Sequence, residues 1–124
     1  MRLLLGAHSA CAIDNDPEAV KVAAENIQRN RLSGSIETSG VDLRDVPGRF
    51  DLVIANIIHD TLLSLAPLLK EKMQRGGHLI LAGILAGDQE KSIIEAYSDL
   101  GLHHLAATQE GEWAALLFTY KLKP

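Results

Sequence analysis

Three residues close apolar runs in this 124-residue sequence, and each could meet a ligand there. Asp14 follows Ser9-Ala10-Cys11-Ala12-Ile13, Asn56 follows Phe50-Asp51-Leu52-Val53-Ile54-Ala55, and Gly83 follows His78-Leu79-Ile80-Leu81-Ala82. Ligands of open parallel sheets bind beyond the carboxyl ends of the strands, so these positions are where chemistry is expected. A carboxylate at Asp14 can accept hydrogen bonds from the adjacent hydroxyls of a ribose. It can equally shape the turn or help Asp16 cap the next helix, and the residues alone leave the two readings level. The Asn56 amide offers a donor and an acceptor at the mouth of an apolar strand. A polar group in such a stretch needs a partner, because burying it unpaired is costly, and a ligand is the favoured partner over a turn contact.

Other reactive side chains carry less. His59 is a tempting base so close to Asn56, but a surface or helix-start role is the better expectation. His8, His78, His103 and His104 lack metal-ligand spacing, so no metal site is expected. Cys11, inside a strand, is expected in the core rather than as a nucleophile.

The elements that must hold these residues alternate. A strand ending at Asp14 leads into a helix with Asp16 as N-cap, Pro17 at its first position and Val20, Ala23, Ala24 and Ile27 on one face. A short strand is expected near 35–38, then the strand ending at Asn56. Asp60 can cap the next helix, whose Leu62, Leu65, Ala66, Leu69 and Met73 share a face. Pro67 should kink or divide that helix, and Gly76-Gly77 should stop it. A strand at 78–82, a helix at about 88–100 and two strands, roughly 103–108 and 113–120, complete the order. The continuous apolar strands imply burial on both faces and hence a mostly parallel sheet covered by helices. The last two strands read as an antiparallel hairpin on the sheet's edge.

Composition sets the outer bounds. The chain is 47% hydrophobic and 23% charged, as a globular domain is, which excludes a disordered protein. No apolar run approaches the roughly 20 residues of a membrane span, and the first residues lack the length of a secretory signal. With 12 basic against 16 acidic residues there is no broad attraction to nucleic acid or anionic membrane. One cysteine suits a reducing, cytoplasmic compartment.

The stretch Ala12-Ile13-Asp14-Asn15-Asp16-Pro17-Glu18-Ala19-Val20 resembles the second-strand motif of class I S-adenosylmethionine-dependent methyltransferases. More closely, almost the whole chain resembles the C-terminal part of the catalytic domain of the ribosomal protein L-eleven methyltransferase family. The residues that carry this are Phe50 to Ile58, Leu65-Ala66-Pro67-Leu68-Leu69, Gly76-Gly77, Ala82-Gly83-Ile84-Leu85 and Glu110-Gly111-Glu112-Trp113. The resemblance implies an α/β, Rossmann-like sheet and a cofactor, S-adenosylmethionine, with Asp14 on the ribose hydroxyls and Asn15 beside the adenosine. It places Asp42 on the adenine amino group and Asn56 at the cofactor and the methyl-transfer site. The implied partner is a ribosomal protein whose amino groups accept the methyl. The Glu110–Trp113 block would lie toward the substrate, though a hairpin turn with a core tryptophan is at least as good a reading.

The sequence departs from that family at His59, where the family usually has a small residue, and more largely at its start. A first strand and glycine-rich turn should precede the strand ending at Asp14, and no Gly-x-Gly is present. Residues 1–124 are therefore expected to form a partial catalytic domain, without the first strand and the N-terminal substrate-recruiting domain. In the resembled topology that first strand lies between the strands ending at Asp14 and Asn56. Those two strands should then pair directly, or another chain should fill the gap, with a homodimer through exposed strand edges as one outcome. The chain alone is expected to bind the cofactor weakly and to be weak or inactive as an enzyme. Two alternatives remain at this point: a non-catalytic methyltransferase-like domain used in interaction or assembly, and, less favoured, a nicotinamide-dependent oxidoreductase that shares the acidic strand end.

Overall fold

The structure is a computed structural model that describes residues 10–14, 36–38 and 48–121. Within these, six strands and two helices follow in the order β1 (Ala10–Asp14), β2 (Ile36–Thr38), β3 (Phe50–Asn56), α1 (His59–Glu71), β4 (Met73–Leu85), α2 (Asp88–Asp99), β5 (His103–Glu110) and β6 (Trp113–Thr119). The strands form one sheet in the order β2-β1-β3-β4-β6-β5. β2, β1, β3 and β4 are parallel, whereas β6 runs antiparallel to both β4 and β5. The parallel α/β sheet with a terminal antiparallel hairpin is the expected architecture. The helix expected from Asp16 lies outside the described residues.

β1 and β3 pair directly, from Ala10↔Leu52 to Asp14↔Asn56. Of the two outcomes expected for these strands, direct pairing is the one found, and it satisfies backbone groups that would otherwise be exposed. Leu52 and Val53, consecutive and therefore on opposite faces, are both fully buried. The main core lies under α1 and α2, where Val53, Leu79, Leu81 and Phe118 from the sheet meet Leu62, Leu69, Ile93 and Tyr97 from the helices. Cys11 and Ile13 extend it to β1, so the cysteine is a core residue as expected.

Several boundaries differ from the sequence expectation. Pro67 does not divide α1, which runs as one helix through it; the proline is exposed. Asp60 is not the N-cap: the cap position lies two residues earlier, at Ile58, and Asp60 lies in the first turn, where its charge suits the helix dipole. Met73 belongs not to the helix face but to β4, opposite Phe50. Gly76-Gly77 therefore lies inside a strand instead of ending a helix. A Cβ on Gly77 would approach the carbonyl oxygens of Asp51 and Gln74 to 2.9 Å, so the residue marks a close backbone approach rather than a stop.

Candidate functional site

The parallel strands arrange a switch point. β2 lies on one side of β1 and β3 on the other, so the chain reverses its direction of travel across the sheet between β1 and β3. Crevices in doubly wound sheets form at such a reversal, outside the strands' carboxyl ends. The residues at those ends are Asp14 and Asn56, directly opposite one another in the ladder. Neighbouring strands lie about 4.8 Å apart, so the two strand ends are adjacent in space. Two of the predicted site residues are thus brought together; Asn15 and Asp42 lie outside the described residues.

Asn56 is exposed, not buried in the strand's apolar surroundings. The cost of an unpaired buried amide, expected from its apolar stretch, is therefore not what marks it. What marks it is its position, its chemistry and its neighbour. Gly83, one residue beyond Asn56's ladder partner Ala82, has φ 78°, and a Cβ built there would lie 2.7 Å from Asn56 Oδ1. The third strand-end residue singled out in the sequence therefore lies against the second.

The turn after Asn56 is anchored by a histidine. His59, the first residue of α1, makes a 3.0 Å Nδ1–Oδ1 contact with Asp60 and a 3.1 Å Nε2–Oγ contact with Ser92 of α2. With Nδ1–H donating to the carboxylate, Nε2 accepts the hydroxyl proton of Ser92. The helix-start role expected for His59 is seen, and its link to α2 is a feature that spacing could not reveal, because Ser92 is 33 residues away. On the same side, α2 starts beyond β4 with Gln89 Oε1 accepting from the Leu85 backbone N–H at 3.1 Å.

Trp113 begins β6 opposite Leu85, the last residue of β4. It is about half exposed, so the reading of a core tryptophan is overturned. Ile58, also exposed, stands in the turn two residues after Asn56. The carboxyl ends of β3 and β4 are thus each followed or faced by an exposed apolar side chain, Ile58 and Trp113. Among the described residues no cluster of metal-ligating side chains occurs, and no helix is long and apolar enough to cross a membrane.

The donor set suits the nucleoside half of S-adenosylmethionine. Asp14 and Asn56, residue types suited to a diol and to an amide contact, occupy paired positions at two strand ends, and Gly83 has no side chain to crowd the Asn56 amide. For the methionine half, no Gly-x-Gly turn occurs in the 124 residues to bring backbone N–H groups against it.

Comparison with known proteins gives a consistent picture. A family model described as ribosomal protein L11 methyltransferase (PrmA) matches residues 2–121. The ribosomal protein L11 methyltransferase of Desulfotalea psychrophila is 42% identical over 115 residues, covering 93% of this chain and 38% of that protein. The Myxococcus xanthus protein of that name is 44% identical over 112 residues, covering 90% and 38%. The chain thus spans well under half the length of these relatives. The crystal structure of a ribosomal protein L11 methylase from Lactobacillus delbrueckii subsp. bulgaricus superposes with a TM-score of 0.69 at 23% identity, covering 92% of this chain and 70% of that one. The N-methyltransferase NodS from Bradyrhizobium japonicum, in complex with S-adenosyl-L-homocysteine, superposes with a TM-score of 0.61 at 14% identity, covering 94% and 81%. With a class I methyltransferase fold and a match over nearly its full length, this chain belongs to the ribosomal protein L11 methyltransferase family.

Proposed function

We propose that this chain forms part of the catalytic domain, residues 1–124, of an S-adenosylmethionine-dependent protein methyltransferase that modifies amino groups of a ribosomal protein in the cytoplasm. The observation that carries this reading is the placement of Asp14 and Asn56 at the carboxyl ends of parallel strands, in a chain of this family. Asp14 accepts hydrogen bonds from the ribose hydroxyls, Asn15 lies beside the adenosine and Asp42 meets the adenine amino group. When bound, the cofactor supplies a methyl group already activated on a sulfonium. The protein's task is then positioning: the Asn56 carbonyl accepts a hydrogen bond from the unprotonated acceptor amine and aligns its lone pair for in-line attack. No side-chain base is assigned, since the amine's proton can leave to solvent.

The chain alone holds only the nucleoside half of the seat, so it should bind S-adenosylmethionine more weakly than micromolar by isothermal titration. Micromolar affinity would refute that. A chimera that joins the upstream part of the Desulfotalea psychrophila relative to residues 1–124 tests the roles. There, Asp14→Ala should weaken cofactor binding about tenfold to a hundredfold, the worth of hydrogen bonds to a charged group. Asn56→Ala should leave binding near normal and slow turnover by about a hundredfold, a typical loss from misplacing a reactant. Unchanged affinity and turnover in both variants would remove these assignments.

A second reading has its own support. A domain used for assembly fits the sheet edge that β5 presents among the described residues. In that case β5, the edge strand, is the surface for a second copy. All eight of its residues are exposed, Leu105 among them.

A further inference from the structure

β4 carries a defect at the place where it meets the candidate site. Its ladder with β6 keeps register up to Leu81↔Leu116, then slips and resumes at Ile84↔Ala114. Between the two lies Gly83, with φ 78°. A bulge bends a strand and re-aims the residue within it. Here the re-aimed residue is one without a side chain, and it faces the turn that leaves β3. A Cβ at Gly83 would lie 2.7 Å from Asn56 Oδ1 and 3.3 Å from the carbonyl oxygen of Ile57. The first distance is shorter than real Cβ contacts, so one of the two groups would have to move. Asn56 hangs on a short side chain at a strand end, and it is the group able to turn away.

We infer that Gly83 is a positioning residue for Asn56: the volume its missing Cβ leaves open is where the Asn56 carboxamide rests, and the β4 bulge exists to present that volume. The functional meaning rests on Asn56 lining the methyl-transfer site, while the contact itself does not. On this account two requirements meet at Gly83. The backbone needs a residue that tolerates positive φ, and the amide needs a neighbour without a side chain. Gly87 separates them, because it has φ 98° with nothing within 4 Å of a built Cβ.

The test uses the 124-residue chain without ligand. In a ¹⁵N-labelled sample the Asn56 side-chain amide pair is identified by its disappearance in Asn56→Ala. Gly83→Ala should displace that pair, whereas Gly87→Ala should leave it in place. Thermal denaturation supplies the second readout. Gly83→Ala should lower Tm by several degrees more when Asn56 is present than when residue 56 is alanine, since removing Oδ1 removes the collision. An unmoved amide pair, or equal losses in both backgrounds, overturns the inference. Should Gly83→Ala fail to fold, recovery of folding by the added Asn56→Ala supports it, and failure of both variants overturns it. Because no ligand is involved, these outcomes stand apart from the cofactor titration and the turnover of the chimera.

Discussion

Tyr97 shows how much one polar atom can organise. Its ring is fully buried between α2 and the sheet, 5.5 Å from that of Phe118, and its hydroxyl donates to the Leu62 carbonyl at 2.6 Å. The bond ties α2 to α1 across 35 residues of sequence. Burial pushes the phenol's pKa well above its ordinary value near 10, because the phenolate would be desolvated. The folded protein therefore holds this proton more tightly than the unfolded chain. The resulting stability is fully present below the unfolded pKa and is lost as pH rises above about 10. Urea unfolding at pH 8 and pH 11 should show the wild type losing about 1 kcal/mol more than Tyr97→Phe across that interval. The variant should be weaker by about 1 kcal/mol at pH 8, for want of the hydrogen bond. Equal losses for both proteins would place the phenolate in water. Residues of this kind were legible as apolar positions on a helix face, but the bond to Leu62 was not. The same holds for Gly83, whose type is evident in the sequence and whose contact with Asn56 arises from a bulge between non-neighbouring strands. For Trp113 the sequence left a core place and a place toward the substrate side level, and the structure, with the residue half exposed opposite the end of β4, overturns the core place.

The strands and helices were largely legible, because apolar runs of strand length alternate with helical periods. The errors fall where tertiary contacts override local signals. α1 continues through Pro67, which is exposed while Leu62, Ala66 and Leu69 on the opposite stripe are buried and fix the helix in place. β4 starts five residues earlier than its apolar run, because Met73 finds a partner in Phe50 of β3. β5 is the element whose role depends most on what lies outside the chain. Among the described residues it is an edge strand, and a slip in its pairing between His104 and Ala106 is its sole irregularity against β6. Edges of this sort are commonly blunted by charge, yet the strand's eight residues include one acidic residue, Glu110, and no lysine. If a second copy extends the sheet here, sedimentation equilibrium over increasing concentration should show mass rising toward twice the chain's 13.4 kDa. Leu105→Lys should hold it at the single-chain value. A wild type that stays monomeric throughout would rule out this edge as a self-association surface.

At the scale of the whole molecule, the mostly parallel sheet, its antiparallel end and the family were all within reach of the sequence. Asp14 and Asn56 are legible as candidate site residues from their places at the ends of apolar runs. Their adjacency itself depends on which strands pair, and periodicity carries no information about that. An acidic strand end alone also left a dehydrogenase open; the blocks around Asn56, Gly83 and Trp113 distinguish the two families, and the family match agrees with them.

The direct β1–β3 ladder places the chain's sole thiol, Cys11, opposite Val53 with 1% of its surface accessible. An alkylating reagent can reach that sulfur only in molecules where the packing around β1 has opened, so the labelling clock measures how often this part of the core opens. Labelling of the native chain should run about a hundredfold or more slower than of the urea-unfolded chain, as protection by closed packing requires. Near-equal rates would mean that this part of the core stands open most of the time. One buried sulfur thus makes the packing around β1 something that can be timed.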